Sequence, residues 1–130
     1  MGLGPRFARA FLNVPAMADL LAYRHGRATS GYNRLLWRNP AAAMPAVETA
    51  CGYYDTAHFA PLVRTSLRVV VGLSDDVCPF ITGIAAFNCT ASDDRRLYAV
   101  PGMRHVYGTP HNDEINAWLN SMETAPSERP

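Results

Sequence analysis

The sequence predicts an α/β domain built on parallel strands, and three features of its second half predict it. Val69, Val70 and Val71 form an unbroken β-branched run inside LRVVVGLSDDVCP, the sign of a strand covered on both faces. A helical segment and then a second strand-like segment, RLYAV at 96–100, follow within the span of one crossover connection. A strand, a helix and a strand in that order join parallel strands by a right-handed crossover. The strands then end on the same edge of the sheet, where open α/β sheets place their chemistry. Asp75 and Asp76 stand in the turn just past the first of these strands.

From the N-terminus, Phe7 to Val14 predicts a short strand ending at Pro15. Residues 16–24 have weak helical spacing, and His25 to Ser30 with Gly26 reads as a polar turn. Tyr32, Leu35 and Leu36 fit one face of a short helix that stops before Pro40. Pro45 to Tyr54 opens on Pro, carries Glu48 early and sets Val47, Cys51 and Tyr54 on one stripe, which predicts a helix. Asp55 to Val63 is a loop or a helical turn broken by Pro61. The central strand follows, entered from Arg64–Ser66 and starting at Leu67. Residues 81–88 read as a helix with Ile81, Ile84, Ala85 and Asn88 on one side, and 91–94 as a polar turn. After the second strand, 101–111 form a loop opened by Pro101 and Gly102. Asn112 to Met122 carries the clearest helical signal. Asn112 serves as N-cap, Asp113 and Glu114 occupy the first turn, and Ile115, Trp118, Leu119 and Met122 follow at helical spacing. The polar tail 123–130, with two prolines, is expected to be flexible.

Bulk composition narrows the classes. At 130 residues the chain is one domain or a piece of a larger one. Its 48% hydrophobic and 18% charged content suits a globular core. A net charge of +1 gives no dedicated surface for nucleic acid or an anionic membrane. No apolar run reaches the ~18–20 residues that span a bilayer, and Met1 to Asp19 has no continuous signal-peptide core. Cys51, Cys78 and Cys89 are an odd set without metal-ligand spacing, which points to free thiols in a reducing cytoplasm.

On the shared strand edge, Asp75 and His105 form the candidate catalytic pair. A carboxylate can orient the imidazole, and the imidazole can act as general base. Neighbouring side chains diverge, so Asp76 points away from that pairing. Acid before histidine, each after its own strand, is the order of the second and third members of an α/β-hydrolase triad. The other polar candidates have structural readings. No Cys or carboxylate completes a metal site with His105 and His111, so no metal and no cofactor is expected. His25 and His58 read as surface or loop residues, Asp55 as a turn or cap residue, and Cys78 as a buried inert thiol. Tyr32 and Trp37, aromatics at helical spacing, read as core residues, with the lining of an acyl or sugar pocket as the alternative.

These residues bring in a family. YYDTAHFAPLVRTSLRVVVGLSDDVCPFITGIAAFN resembles the acetyl xylan esterase and cephalosporin C deacetylase family of α/β-hydrolases. That family shows Y-x-D…F-A, a buried strand, G-L-x-D-x-V-x-P-P and a helix ending A-A-Y/F-N. Tyr53, Asp55, Phe59 and Ala60 match the first part. Gly72, Leu73, Asp75, Val77 and Pro79 match the second, and Ala85, Ala86, Phe87 and Asn88 the third. Gly102 and His105 match its G-x-x-H loop, and NVPAMADL resembles its V-P-x-x-x-D segment. The resemblance, from about Asn13 to Met122, implies a partial α/β-hydrolase fold: the C-terminal two or three parallel strands with their crossover helices. It implies that residues 1–122 are the C-terminal part of such a domain, with Asp75 as triad acid and His105 as triad base. It implies an acetylated sugar or similar small acetyl ester as substrate, and it admits a homo-oligomer, since members form compact rings. Phe80 stands where the family has a second proline, and PGMRHVYG differs from its G-H-E ending, so substrate and subfamily stay open.

No serine of the chain lies in a G-x-S-x-G elbow. In the family that elbow precedes V-P-x-x-x-D, so the chain reads as the C-terminal portion of a serine esterase. Alone it is expected to be inactive, and to aggregate or need a partner for its exposed sheet edge. The competing reading is a DNA-binding regulator, because Glu48 to Phe59 is also similar to the second helix-turn-helix of AraC-type proteins. Pro61 falls where a recognition helix would continue, and the near-zero net charge opposes that reading.

Overall fold

In a computed structural model the described residues are 7–27, 31, 45–106 and 108–121. Three strands form one sheet: β1 (Arg9–Asn13), β2 (Ser66–Gly72) and β3 (Arg95–Val100). They run in the order β1-β2-β3 and all pair in parallel. Asn13 lies beside Val70, and Gly72 lies beside Val100. The helices are α1 (Pro45–Tyr54), α2 (Thr56–Phe59), α3 (Phe80–Cys89) and α4 (Asn112–Asn120). Short 3-10 turns occupy Ala22–His25 and Ala60–Leu62.

The β-branched run makes β2 the centre of the sheet. Alternate side chains of a strand point to opposite faces, so the run divides between two cores. Leu67, Val69 and Val71 join Ala10 on one face, against Phe80, Ile84 and Phe87 of α3. Val70 joins Tyr98, Met103 and Ile115 on the other, with Leu119 of α4 beside them. Arg68 shares the α4 face but stays polar: its guanidinium stacks 4.3 Å from the Trp118 ring and bonds Asp94 at 2.8 Å. A strand buried on both faces between helices is what the apolar run predicts.

Several local expectations shift. No α-helix forms at residues 16–21. Val14, Met17 and Asp19 take positive φ angles of 44°, 59° and 47°, and the amides of Asp19 and Leu20 bond the Asp55 carboxylate at 2.8 Å instead of a helical ladder. Asn112 is not the N-cap of α4. His111 holds that place without a side-chain cap bond, and Asn112 Oδ1 instead accepts the Thr109 amide at 3.3 Å. Tyr54 is 69% exposed, so the packed stripe of α1 is narrower than its spacing suggests. The packed side of α3 is Phe80, Ile84 and Phe87, while Asn88 is exposed. The second helix of the regulator reading runs only over Thr56–Phe59, four residues, and then gives way to a 3-10 turn and β2. The expected helix around Tyr32, Leu35 and Leu36, Trp37, Met122 and the tail 123–130 lie outside the described residues. Among the described residues no helix is long and apolar enough to cross a membrane.

Leu67 is 1% exposed and sits under α3. Truncating it leaves a hole in the larger-faced core, so Leu67→Ala is expected to cost about 2–5 kcal/mol of stability. Urea unfolding of the two chains measures this, and a loss below about 1 kcal/mol would contradict the packing described.

Candidate active site

The edge where β2 and β3 end is tied together by backbone bonds. Leu73 donates its amide to the Val100 carbonyl at 3.0 Å, and Ser74 donates to the Met103 carbonyl at 3.0 Å. Gly72 is required for this closeness, because a Cβ there would collide with the Met103 carbonyl. Gly102, at φ +70°, turns the chain out of β3 in a conformation that disfavours other residues. The loop after β3 is thereby laid across the end of β2.

That placement brings Asp75 and His105 together. The Asp75 side chain is fully shielded from solvent, and its Oδ2 lies 3.1 Å from His105 Nδ1. Its Oδ1 accepts the amides of Val77 and Cys78, each at 2.8 Å. A carboxylate withdrawn from water needs its acceptor sites filled, and two amides and an imidazole fill them. With a carboxylate acceptor facing it, Nδ1 is the nitrogen that carries the proton, leaving the Nε2 lone pair available. Nε2 bonds no described residue, and the His105 side chain is 32% exposed. The arrangement can take a proton at Nε2 and stabilise the resulting imidazolium through Asp75. Asp76 diverges as expected: it is exposed and faces Arg104 at 3.4 Å.

The remaining candidates sit elsewhere. Asp55 is buried and caps α2, with Oδ1 accepting the Ala57 amide at 2.9 Å. The same carboxylate holds Asp19 and Leu20, and the Thr56 amide bonds the Met17 carbonyl at 2.8 Å, so Asp55 fixes the strained turn beside the acid loop. His58 Nδ1 lies 2.8 Å from the Gly52 carbonyl. His111 packs on Tyr98 with ring centroids 4.5 Å apart, and His25 is exposed. Among the described residues no group of three or more His, Cys, Asp or Glu side chains is placed to hold a metal ion. Cys78 is buried, and burial, then the Asp75 charge, push its thiol above the ordinary range, which suppresses its thiolate. An apolar cavity of ≈ 340 Å³, lined by Leu12, Pro15, Phe59, Val63 and Phe87 among others, opens on the α3 face and shares no lining residue with the Asp75–His105 pair. Asn13, which no sequence pattern singles out, also reaches the histidine loop: its Nδ2 donates to the Val106 carbonyl at 2.9 Å.

Comparison with known proteins bears on the fold and the family. The chain superimposes on acetyl xylan esterase 1 from a Thermoanaerobacterium species with a TM-score of 0.75 at 22% identity, over 91% of this chain and 39% of that one. It matches an acetyl xylan esterase from a Paenibacillus species with a TM-score of 0.72 at 21% identity, over 91% of this chain and 38% of that one. A cold-adapted esterase from an Arctic intertidal metagenomic library gives 0.55 at 13% identity, over 94% and 38%. These similarities show the fold, part of an α/β-hydrolase sheet, and the chain spans about two-fifths of the length of these esterases. No curated protein matches the chain. A family model described as acetyl xylan esterase (AXE1) matches residues 32–122, well over half of the sequence. By that match the chain belongs to the acetyl xylan esterase family.

Proposed function

We propose that the chain carries the acid and the base of a serine-type carboxylic ester hydrolase that acts on a small acetylated substrate such as an acetylated sugar. The observation that supports this most directly is the 3.1 Å contact between the buried Asp75 carboxylate and His105 Nδ1, with Nε2 bonding no described residue. Family membership and the names of the solved relatives support the acetylated substrate.

The proposed chemistry follows from the pair. Nε2 of His105 takes the proton of a serine hydroxyl as its oxygen attacks the acetyl carbonyl. Asp75 stabilises the imidazolium, which returns the proton to the departing alcohol. Water then repeats the exchange and releases acetate. The chain has no G-x-S-x-G among its serines, so in this reading the nucleophile and the oxyanion donors come from polypeptide outside these 130 residues. Residues 1–122 then form the C-terminal part of the hydrolase domain, and 123–130 its tail.

The test joins the chain in frame behind the part of the Thermoanaerobacterium esterase that precedes its matched region. The chimera is expected to hydrolyse 4-nitrophenyl acetate. His105→Ala should lower kcat/KM by roughly 10⁶ and Asp75→Asn by roughly 10⁴. The 130-residue chain alone should show no hydrolysis that His105→Ala removes. A chimera indifferent to His105→Ala would sink the assignment of the base, and robust hydrolysis by the chain alone would remove the need for an outside serine.

A further inference from the structure

We propose that Asn13 is a positioning residue for His105, an inference that rests on reading His105 as the base. The two outer strands flank β2, so the loop leaving β3 must cross the end of β2 to reach the side of β1. It is tied down at three successive points. The Ser74 amide holds the Met103 carbonyl at 3.0 Å, Asp75 holds His105 at 3.1 Å, and Asn13, the last residue of β1, holds the Val106 carbonyl at 2.9 Å. The first two ties come from the extension of β2. Among the described residues Asn13 alone, from another element, bonds a backbone group of residues 104–106 or 108. Without it, the ring would be kept over Asp75 by the His–Asp contact itself and by the exposed Arg104–Asp76 pair.

The Asn13 carboxamide has one productive orientation. Nδ2 faces the Val106 carbonyl, and the reverse orientation would set two oxygens against each other. Its Oδ1 is buried and has no hydrogen-bond partner among the described residues. A buried, unpaired carbonyl oxygen is a cost that a side chain serving only to fill the strand end would not carry. Replacing Asn13 with Asp keeps the shape and exchanges the donor for a charged acceptor, and replacing it with Ser removes the tie without adding charge.

The ring proton reports the effect without any turnover. The full chain, labelled with ¹⁵N-histidine, is studied by NMR in dilute solution at about pH 9, where imidazoles are neutral. His105→Ala assigns its signal among the four histidines. The wild-type ring is expected to show a slowly exchanging Nδ1 proton. Asp75→Asn, Asn13→Asp and Asn13→Ser should each speed its exchange at least about tenfold, by loosening the Nδ1–H contact. His58, whose Nδ1 faces the Gly52 carbonyl at 2.8 Å, serves as the internal reference and should not change in the Asn13 variants. If exchange at His105 stays at the wild-type rate in both Asn13 variants but rises in Asp75→Asn, the inference fails while the reading of His105 survives. Equal acceleration at His58 also overturns it, because that marks general loosening. A His105 ring that ignores Asp75→Asn overturns both.

Discussion

A carboxylate removed from water has to be met by donors, and that requirement at Asp75 organises this end of the molecule. Its side chain is fully shielded, and its two oxygens take the amides of Val77 and Cys78 and the ring of His105. An ion buried without such partners would cost several kcal/mol, so the turn and the loop are held to the carboxylate as much as the carboxylate is held to them. The consequence is chemical as well as structural. One ring nitrogen is committed to Asp75, and the other bonds no described residue, on a partly exposed side chain at the edge of a parallel sheet.

Every other layer of the fold serves that meeting. The β-branched centre of β2 is clamped between α3 and α4, which fixes where the strand ends. Gly72 lets the chain after β3 pass against that end, and the Leu73 and Ser74 amides bind it there. Asp55 does related work one layer out, holding residues 17–20 in a turn that the positive φ angles of Met17 and Asp19 make costly. Buried carboxylates at positions 55 and 75 thus each convert backbone amides into a fixed loop. The one at 75 also meets an imidazole.

Much of this was legible in the sequence, for physical reasons that differ by element. The run Val69–Val71 announces a strand buried on both faces, because alternate side chains point to opposite faces and a half-exposed strand would set apolar valine in water. Parallel pairing follows from the length of the strand–helix–strand unit. The closeness of Asp75 and His105 follows once both strands end on one edge, and the family motifs point to the same two residues. The remainder depended on tertiary contacts that leave no periodic trace. Residues 16–21 have helical spacing, but the Asp55 carboxylate, 35 residues away from Leu20, captures the amides a helix would use. Asn112 has the right side chain for a cap, yet the preceding turn draws its oxygen to Thr109. Asn13 directly precedes the V-P-x-x-x-D segment but is no part of that pattern, and its bond to Val106 spans 93 residues.

The account rests on a direct energetic link between Asp75 and His105, and a double-mutant cycle measures that link in the folded chain. Urea unfolding near neutral pH would compare the wild type, Asp75→Asn, His105→Ala and the double variant. The structure predicts a coupling of about 0.5–3 kcal/mol between the two positions. Effects that add within about 0.3 kcal/mol would mean that the two side chains do not act on each other, and the site as described would not exist.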